Sequence, residues 1–369
     1  MRVAFVGAGR VNFGWSGDPW DHATRLENIN PLIPLQVVGI FDKNTELAHQ
    51  VLKQRLEGTN RSETQRSIWK DAKIFSSLEA MIKEAKPEAV WIGVPPAAHG
   101  EIEKLCVSAG IHMFIEKPIS CGTPETVEQI HKMLHSNPKV VVSVGYMLRY
   151  SKAVDYIKDF LSSRHLMPTS IMARYNTAYP SIGSKMWWDQ RTSGGPIIEQ
   201  ATHFCDLLRY FGGEYDPKTV QAISVMSNEP VGLLSNVPEG VEVGVPEKYK
   251  IPRAVHAIWK FDSGAIGSLS HGVLLHGQKY HTEFEIWADG YRIFLREPYT
   301  SNCEVIINEK VVQFKDDDMY YTEDLHFLKT IQNPSLNLIR SPYADALNTY
   351  KLTWRITKEA KYQTTKAKL

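Results

Sequence analysis

In the stretch Phe114-Ile115-Glu116-Lys117-Pro118-Ile119-Ser120, an apolar run stops at a carboxylate followed by an ammonium. The proline directly after Lys117 keeps that lysine out of helical geometry, so its side chain leaves from the end of an extended segment. A second stretch, Gly194-Gly195-Pro196 and then Glu199, His203 and Asp206, sets an acid, an imidazole and another acid at helical spacing. At 100° per residue these three fall within an arc of about 60°, opposite Ile197, Ala201, Phe204 and Leu208. A solvated helix face usually carries lysines and glutamates instead. A cation that stabilises an alkoxide, and an imidazole that takes its proton, are what oxidation of a carbinol requires. The plain alternatives are a strand that stops at Lys-Pro and a helix that turns its polar side to water.

The elements that must position these groups can be read from periodicity. Arg2-Val3-Ala4-Phe5-Val6 is an apolar strand running straight into Gly7-Ala8-Gly9-Arg10-Val11-Asn12. Two glycines at this spacing let the backbone turn tightly and approach a pyrophosphate, whose charge the following helix N-terminus favours. Asn12 stands where the full fingerprint has its third glycine. A second strand, Leu35 to Asp42, ends in a carboxylate suited to the two hydroxyls of an adenosine ribose and unfavourable to a 2′-phosphate. Lys43 alongside softens that discrimination, and Asp42 could equally open the helix expected over 44–56. Asp42 follows the glycines by roughly a dozen residues more than the usual ~20, and residues 12–22 read as the insertion responsible. A strand over Ala89–Val94, a Pro95-Pro96 turn, a helix over about 99–109 stopped by Gly110, and a strand ending at Glu116 come next. Such alternation predicts parallel βαβ units, whose ligands bind at the carboxyl ends of the strands. Gly7, Asp42, Pro95 and Lys117 all fall at such ends.

Beyond Thr219 the period changes to two, over 253–261, 265–275, 282–295 and 303–314, with Asp289-Gly290 as a hairpin turn. Ser227–Pro252 holds four prolines and three glycines and reads as a long loop, of the kind used as a lid or subunit contact. His271, His276 and His281 are too irregularly spaced to converge on one ion, and no metal is expected. Residues 341–363 read as a C-terminal helix packed on one of the domains. A chain of 369 residues is long enough for two domains. A net charge of +1 argues against a nucleic-acid partner. No run of 18 or more apolar residues suggests a membrane span. The opening strand leaves no room for a signal peptide, and Cys106, Cys121, Cys205 and Cys303 form no CxxC pair, so a cytoplasmic protein is expected.

On these motifs the chain resembles the glucose–fructose oxidoreductase / inositol dehydrogenase / MocA (Gfo/Idh/MocA) oxidoreductases. The resemblance rests on the glycine turn, on residues 94–118 and 144–150, and on residues 193–214. It implies an α/β protein: a Rossmann domain over 1–138, and over 139–369 an α/β domain with a large, mostly antiparallel open sheet, its last helix free to pack back on the first domain. The implied activity is NAD(P)-dependent hydride transfer at a secondary hydroxyl or ketone of a sugar, polyol or related small molecule, with NAD ahead of NADP. Implied cofactor contacts are Gly7, Gly9, Arg10, Val11, Asp42, Lys43, Pro95, Pro96, His99, Glu116 and Lys117. Lys117 would be the catalytic-site lysine on the reacting oxygen, with Glu116 on the cofactor side. His203 would be the acid/base, and Glu199 would bind a neighbouring hydroxyl or orient the histidine. Glu199 stands where members more often have aspartate, one methylene shorter. Tyr146, Trp188 and Thr202 would line the substrate, with sugar stacking on Tyr146, Trp187 and Trp188. Two other activities suit the same scaffold: a glycosidase using bound NAD as an internal redox group, and a non-catalytic NAD-binding regulator, which would be expected to lack the lysine and histidine. The expected partners are the small-molecule substrate and further copies of the chain, as a homodimer or homotetramer through the C-terminal sheet, with no nucleic acid or membrane.

Overall fold

A computed structural model describes residues 1–14 and 21–366 of the chain. Residues 15–20, the middle of the expected insertion, lie outside the described residues. The backbone forms two units. The first comprises Met1–Ser120, Glu125–Tyr150 and Asp318–Asp345; the second comprises Cys121–Pro124, Ser151–Asp317 and the chain from Ala346 on. In place of a single cut after residue 138, the chain returns to the first unit late, bringing the helix Met319–Gln332 with it.

The first unit is built on six parallel strands: β1 (Arg2–Val6), β2 (Gln36–Phe41), β3 (Lys73–Phe75), β4 (Ala89–Ile92), β5 (His112–Ile115) and β6 (Val142–Val144). Their order is β3-β2-β1-β4-β5-β6, so the sheet reverses direction of growth between β1 and β4. Crevices for ligands open at such a reversal, outside the carboxyl ends of the strands. β1, β4 and β5 are continuous apolar runs because both faces of a parallel sheet are covered by helices. One face buries Phe5, Trp69, Trp91, Phe114 and Phe327 together. Phe327, from the late helix, meets Trp91 and Phe114 edge-on at 5.4 and 5.7 Å between centroids. Asn44 caps the helix Thr45–Glu57, its side chain accepting from the Leu47 N–H at 3.1 Å.

The second unit carries eight strands: β7 (Pro168–Ala178), β8 (Gln221–Val225), β9 (Ala254–Lys260), β10 (Ile266–Leu275), β11 (His281–Ala288), β12 (Tyr291–Arg296), β13 (Glu304–Ile307) and β14 (Lys310–Gln313). They order as β14-β13-β12-β11-β7-β10-β9-β8, with only β7 and β10 parallel. The period-two segments form strands, and Gly290, at φ 73°, makes the expected turn between β11 and β12; the segment 303–314, read as one strand, instead divides at Asn308 (φ 53°) into the antiparallel pair β13 and β14. β7, the strand joining the two halves of the sheet, was not visible in the sequence, because its middle alternates poorly. One sheet face packs on helices, including Thr202–Gly212. The other presents Ile223, Ile258, Ile266, Trp287 and Val311 to solvent. Residues 227–252 are irregular apart from short turns, and Val241 and Ile251 pack beside Trp188. Among the described residues, no helix is long and apolar enough to cross a membrane.

Candidate active site

At the end of β1, Gly7 has φ 96°, and a Cβ there would overlap the carbonyl oxygen of Gly93 beyond β4. Glycine at position 7 is therefore required by the fold itself. Gly9 differs. Its φ of −76° suits any residue, and the nearest atom to a Cβ would be Gly93 O at 3.9 Å. Nothing among the described residues demands glycine there, which fits a position kept small for a ligand's close approach. Asn12, at the third-glycine position, is buried and donates through Nδ2 to Gly7 O at 2.8 Å, pinning the turn from within. Asp42 accepts from the Ala8 N–H and the Asn44 N–H, both at 2.7 Å, so its carboxylate is fixed against the same turn. Each oxygen keeps a further lone pair, as ribose binding would need.

Pro95 and Pro96 follow β4 on this rim, and Pro96 opens a short turn. The His99 side chain is buried, with Nδ1 2.6 Å from Glu103 Oε1 at the start of the helix Glu101–Ser108, while Nε2 has no hydrogen-bond partner among the described residues. Burial works to raise the Glu103 pKa, but His99 and the Gly100 N–H outweigh it and hold the carboxyl below its ordinary range.

β5 ends at Ile115, and the charged corner follows. The Lys117–Pro118 bond is cis. Lys117 donates its backbone N–H to Glu116 Oε2 at 3.1 Å. Glu116 is 5% exposed, and its Oε1 lies 2.9 Å from His22 Nε2. The expectation that Glu116 lies on the cofactor side is thus corrected: its carboxylate turns inward, because a buried imidazole offers it a partner. His22 Nδ1 in turn lies 3.0 Å from both oxygens of Asp324, which also accepts from Trp91 Nε1 at 2.8 Å. Burial alone would depress the His22 pKa; the Asp324 and Glu116 carboxylates on either side outweigh it and hold the ring well above the ordinary histidine range.

In the second unit, Gly194 and Gly195 turn at φ 76° and 92° into Pro196–Glu199, but the helix then breaks. Pro196 O accepts from both the Gln200 and Ala201 N–H groups, and a new helix runs Thr202–Gly212. The 60° arc drawn for one continuous helix is therefore not the real geometry. Asp206 leaves the polar set: it is buried and accepts the Thr349 hydroxyl at 2.9 Å, holding the C-terminal helix. Glu199 remains half-buried and accepts from Trp187 Nε1 at 2.7 Å. Thr202 is buried, and His203, 7% exposed, stands edge-on to Tyr299 at 6.0 Å. Trp188 is also corrected. It is fully buried among Tyr179, Val241 and Ile251, with its Nε1 donating to Ile182 O, and it offers no face for stacking. Tyr146, in the first unit, is buried as well.

The sequence reading missed Gln200, Thr177 and Tyr175, and weighed His271 only as a metal ligand. Gln200 Oε1 accepts from Thr177 Oγ1 at 2.7 Å and lies 3.3 Å from His271 Nε2. His271 stacks on Tyr175 across the β7–β10 register, with centroids 5.5 Å apart. Burial pushes the His271 pKa down to about 3, so the ring is neutral. Burial raises the Tyr175 phenol, with Tyr280 and Glu199 adding to the effect. No local signal marks this group, because it depends on pairing between strands nearly a hundred residues apart. His276 and His281 are exposed and do not join His271 in any metal-capable group of three among the described residues.

Residues 1–146 match the family described as "Oxidoreductase family, NAD-binding Rossmann fold". Residues 149–291 match the one described as "Putative oxidoreductase C terminal domain". The chain is 36% identical to "Uncharacterized protein UNK4.17" of Schizosaccharomyces pombe, over 98% of this chain and 91% of that protein. Among solved structures it is similar to myo-inositol 2-dehydrogenase from Lactobacillus plantarum, with a TM-score of 0.73 and 17% identity over 98% of each chain. It is also similar to scyllo-inositol dehydrogenase from Lactobacillus casei with bound NAD(H) and scyllo-inositol, with a TM-score of 0.71 and 18% identity over 98% of this chain and 97% of that one. At these identities the likeness to the solved structures is one of fold.

Proposed function

The chain belongs to the Gfo/Idh/MocA oxidoreductase family, and on that footing we propose that it is an NAD-dependent dehydrogenase acting on a secondary hydroxyl of a sugar, polyol or related small molecule. One observation carries the reading. Lys117 leaves the carboxyl end of β5 on the same rim as the glycine turn, where Gly9 is smaller than the fold requires. Gly7, Gly9 and Asp42 would hold the dinucleotide, and the nicotinamide, when bound, accepts or returns the hydride. The Lys117 ammonium then stabilises the charge that develops on the substrate oxygen. His203 takes the hydroxyl proton, and Glu199, oriented by Trp187, binds a neighbouring hydroxyl.

The test is a panel of polyols, sugars and glycosides offered with NAD and with NADP, followed by the absorbance of reduced nicotinamide. Reduction of NAD by at least one free polyol or sugar is expected. Cleavage of a glycoside with no net cofactor reduction would instead identify a redox-assisted glycosidase.

For assembly, a second copy of the chain is the partner proposed for the open sheet face. Ile223, Ile258, Ile266, Trp287 and Val311 share it with a ladder of alternating charge, Arg174, Glu283, Glu285, Arg292 and Arg296. A two-fold interface must complement itself, and a patch carrying both signs does so. Light scattering that returns a monomer at working concentrations would refute it.

A further inference from the structure

Hydride transfer leaves one group in the first unit without a purpose. Glu323, on the helix Met319–Gln332, is 0% exposed, and neither carboxylate oxygen has a hydrogen-bond partner among the described residues. A buried polar group left unbonded is costly, and more so when it is charged. Glu323 is not isolated, however. Ligand-type atoms of Glu323, Glu116 and His22 all lie within 4.8 Å of one another, and all three residues are buried. We propose that His22, Glu116 and Glu323 form a binding site for a divalent first-row transition ion, Zn²⁺ or Mn²⁺, with a structural role.

Four features support this assignment. Atoms bound at about 2.1 Å to one ion lie at most about 4.2 Å apart, so modest side-chain rotation closes the set. The His22 ring is already oriented as metal-bound histidines are: Nδ1 faces the Asp324 carboxylate at 3.0 Å, while Nε2 is directed at Glu116. Histidine ligands generally donate their other ring N–H to a carboxylate, which fixes tautomer and orientation, and Trp91 holds Asp324 in turn. The surroundings also suit a cation: the Glu116 and Glu323 carboxyl groups lie beside His22 Nε2, and the Asp324 carboxylate lies on the other side of the ring, all of them buried. Finally, one imidazole nitrogen with two carboxylates suits Zn²⁺ or Mn²⁺ better than Ca²⁺, which takes six to eight oxygens. The ligands come from the helix His22–Ile29, the end of β5 and the late helix, so the ion would tie these three elements together.

The full chain, stripped with a chelator and desalted, should be titrated with Zn²⁺ alone and with Mn²⁺ alone by calorimetry, and retained metal counted by mass spectrometry. One ion per chain is expected, with the melting temperature rising on binding. Glu323→Gln is nearly isosteric and removes no hydrogen bond of its own; it should weaken binding at least tenfold and lose the melting shift. Asp324→Asn should weaken binding about tenfold or more through the His22 ring. His131 and His135, on the helix Pro124–His135, are a rival surface pair, and His131→Ala should leave binding unchanged. Should Glu323→Gln fail to fold, Co²⁺ added to the wild-type chain decides, since only a nitrogen- and carboxylate-bound ion gives the corresponding visible bands. No stoichiometric ion in the wild type, equal binding by Glu323→Gln, or a Co²⁺ spectrum of the fully hydrated ion overturns the proposal.

Discussion

His271 should make the fold acid-sensitive in a way that one substitution removes. The ring is buried beneath Tyr175, and Nδ1 has no partner among the described residues. Burial lowers its pKa from the ordinary 6.5 to about 3. The sign follows directly. Above pH 6.5 neither folded nor unfolded chain protonates this residue, and it has no effect on pH dependence. Between 6.5 and about 3 the unfolded chain binds a proton that the folded chain refuses, so stability falls with acid at about 1.4 kcal/mol per pH unit. From pH 8 to pH 5 that amounts to about 2 kcal/mol. His271→Gln removes the titration while keeping a group able to donate to Gln200. Its offset from wild type at pH 8 reflects packing and is the same at every pH. Urea unfolding of both proteins at pH 5, 6, 7 and 8 measures the difference. The variant should gain about 2 kcal/mol on the wild type between pH 8 and pH 5. A difference that stays flat within about 0.5 kcal/mol would show that His271 is not held neutral by burial, and the reasoning would fail.

Lys117→Met should abolish turnover while leaving NAD affinity within about tenfold, about 1.4 kcal/mol, since the dinucleotide is held at other strand ends; more than a tenth of wild-type turnover would remove the lysine from the chemistry. Asp42→Ser should raise NADP use relative to NAD, and equal wild-type efficiency with the two cofactors would already contradict the assignment. Gly7→Ala and Gly9→Ala should part company: the first lowers stability by about 2 kcal/mol or more, through positive φ and overlap with Gly93, while the second leaves melting unchanged and weakens NAD. Once a substrate is known, kcat/KM for its oxidation should rise with pH, and His203→Asn should lose that limb along with about 10²-fold in rate; a limb that survives would hand the base role to another group.

The first 120 residues were legible because a parallel sheet writes its pattern locally. The central strands are mostly apolar, helices open on the capping side chains of Asp21, Asn44, Ser62 and Ser77, and the strand ends are marked by Gly7, Asp42, Pro95 and Lys117. The period-two strands β9 to β14 were legible for the same reason. What could not be read depends on distant pairing. The helix Met319–Gln332 looks like any amphipathic segment, and nothing in it says that Asp324 reaches His22 some three hundred residues away. The break after Glu199 was hidden because propensity favours a continuous helix there. At the break the Gln200 side chain accepts the Thr177 hydroxyl, a tertiary contact that a helical wheel cannot show. Trp188 misled for a compositional reason: a tryptophan beside a candidate site reads the same whether it lines the site or packs a loop.

The corner at Glu116 and Lys117 shows why a core strand can end in a charged pair. An acid and a base left facing each other at a buried edge would neutralise each other and hold the lysine back. Here the acid is turned away. One oxygen of Glu116 faces His22 and the other accepts the backbone N–H of Lys117, so the carboxylate grips the lysine's main chain. Glu116→Gln should therefore do more than remove a charge. It would exchange an acceptor for a donor on one side of the carboxyl, leaving either His22 or the Lys117 N–H without a match. If the corner exists to place the lysine, turnover should fall while the ammonium itself remains. An unaffected Glu116→Gln enzyme would mean that the strand end holds its shape without its acid.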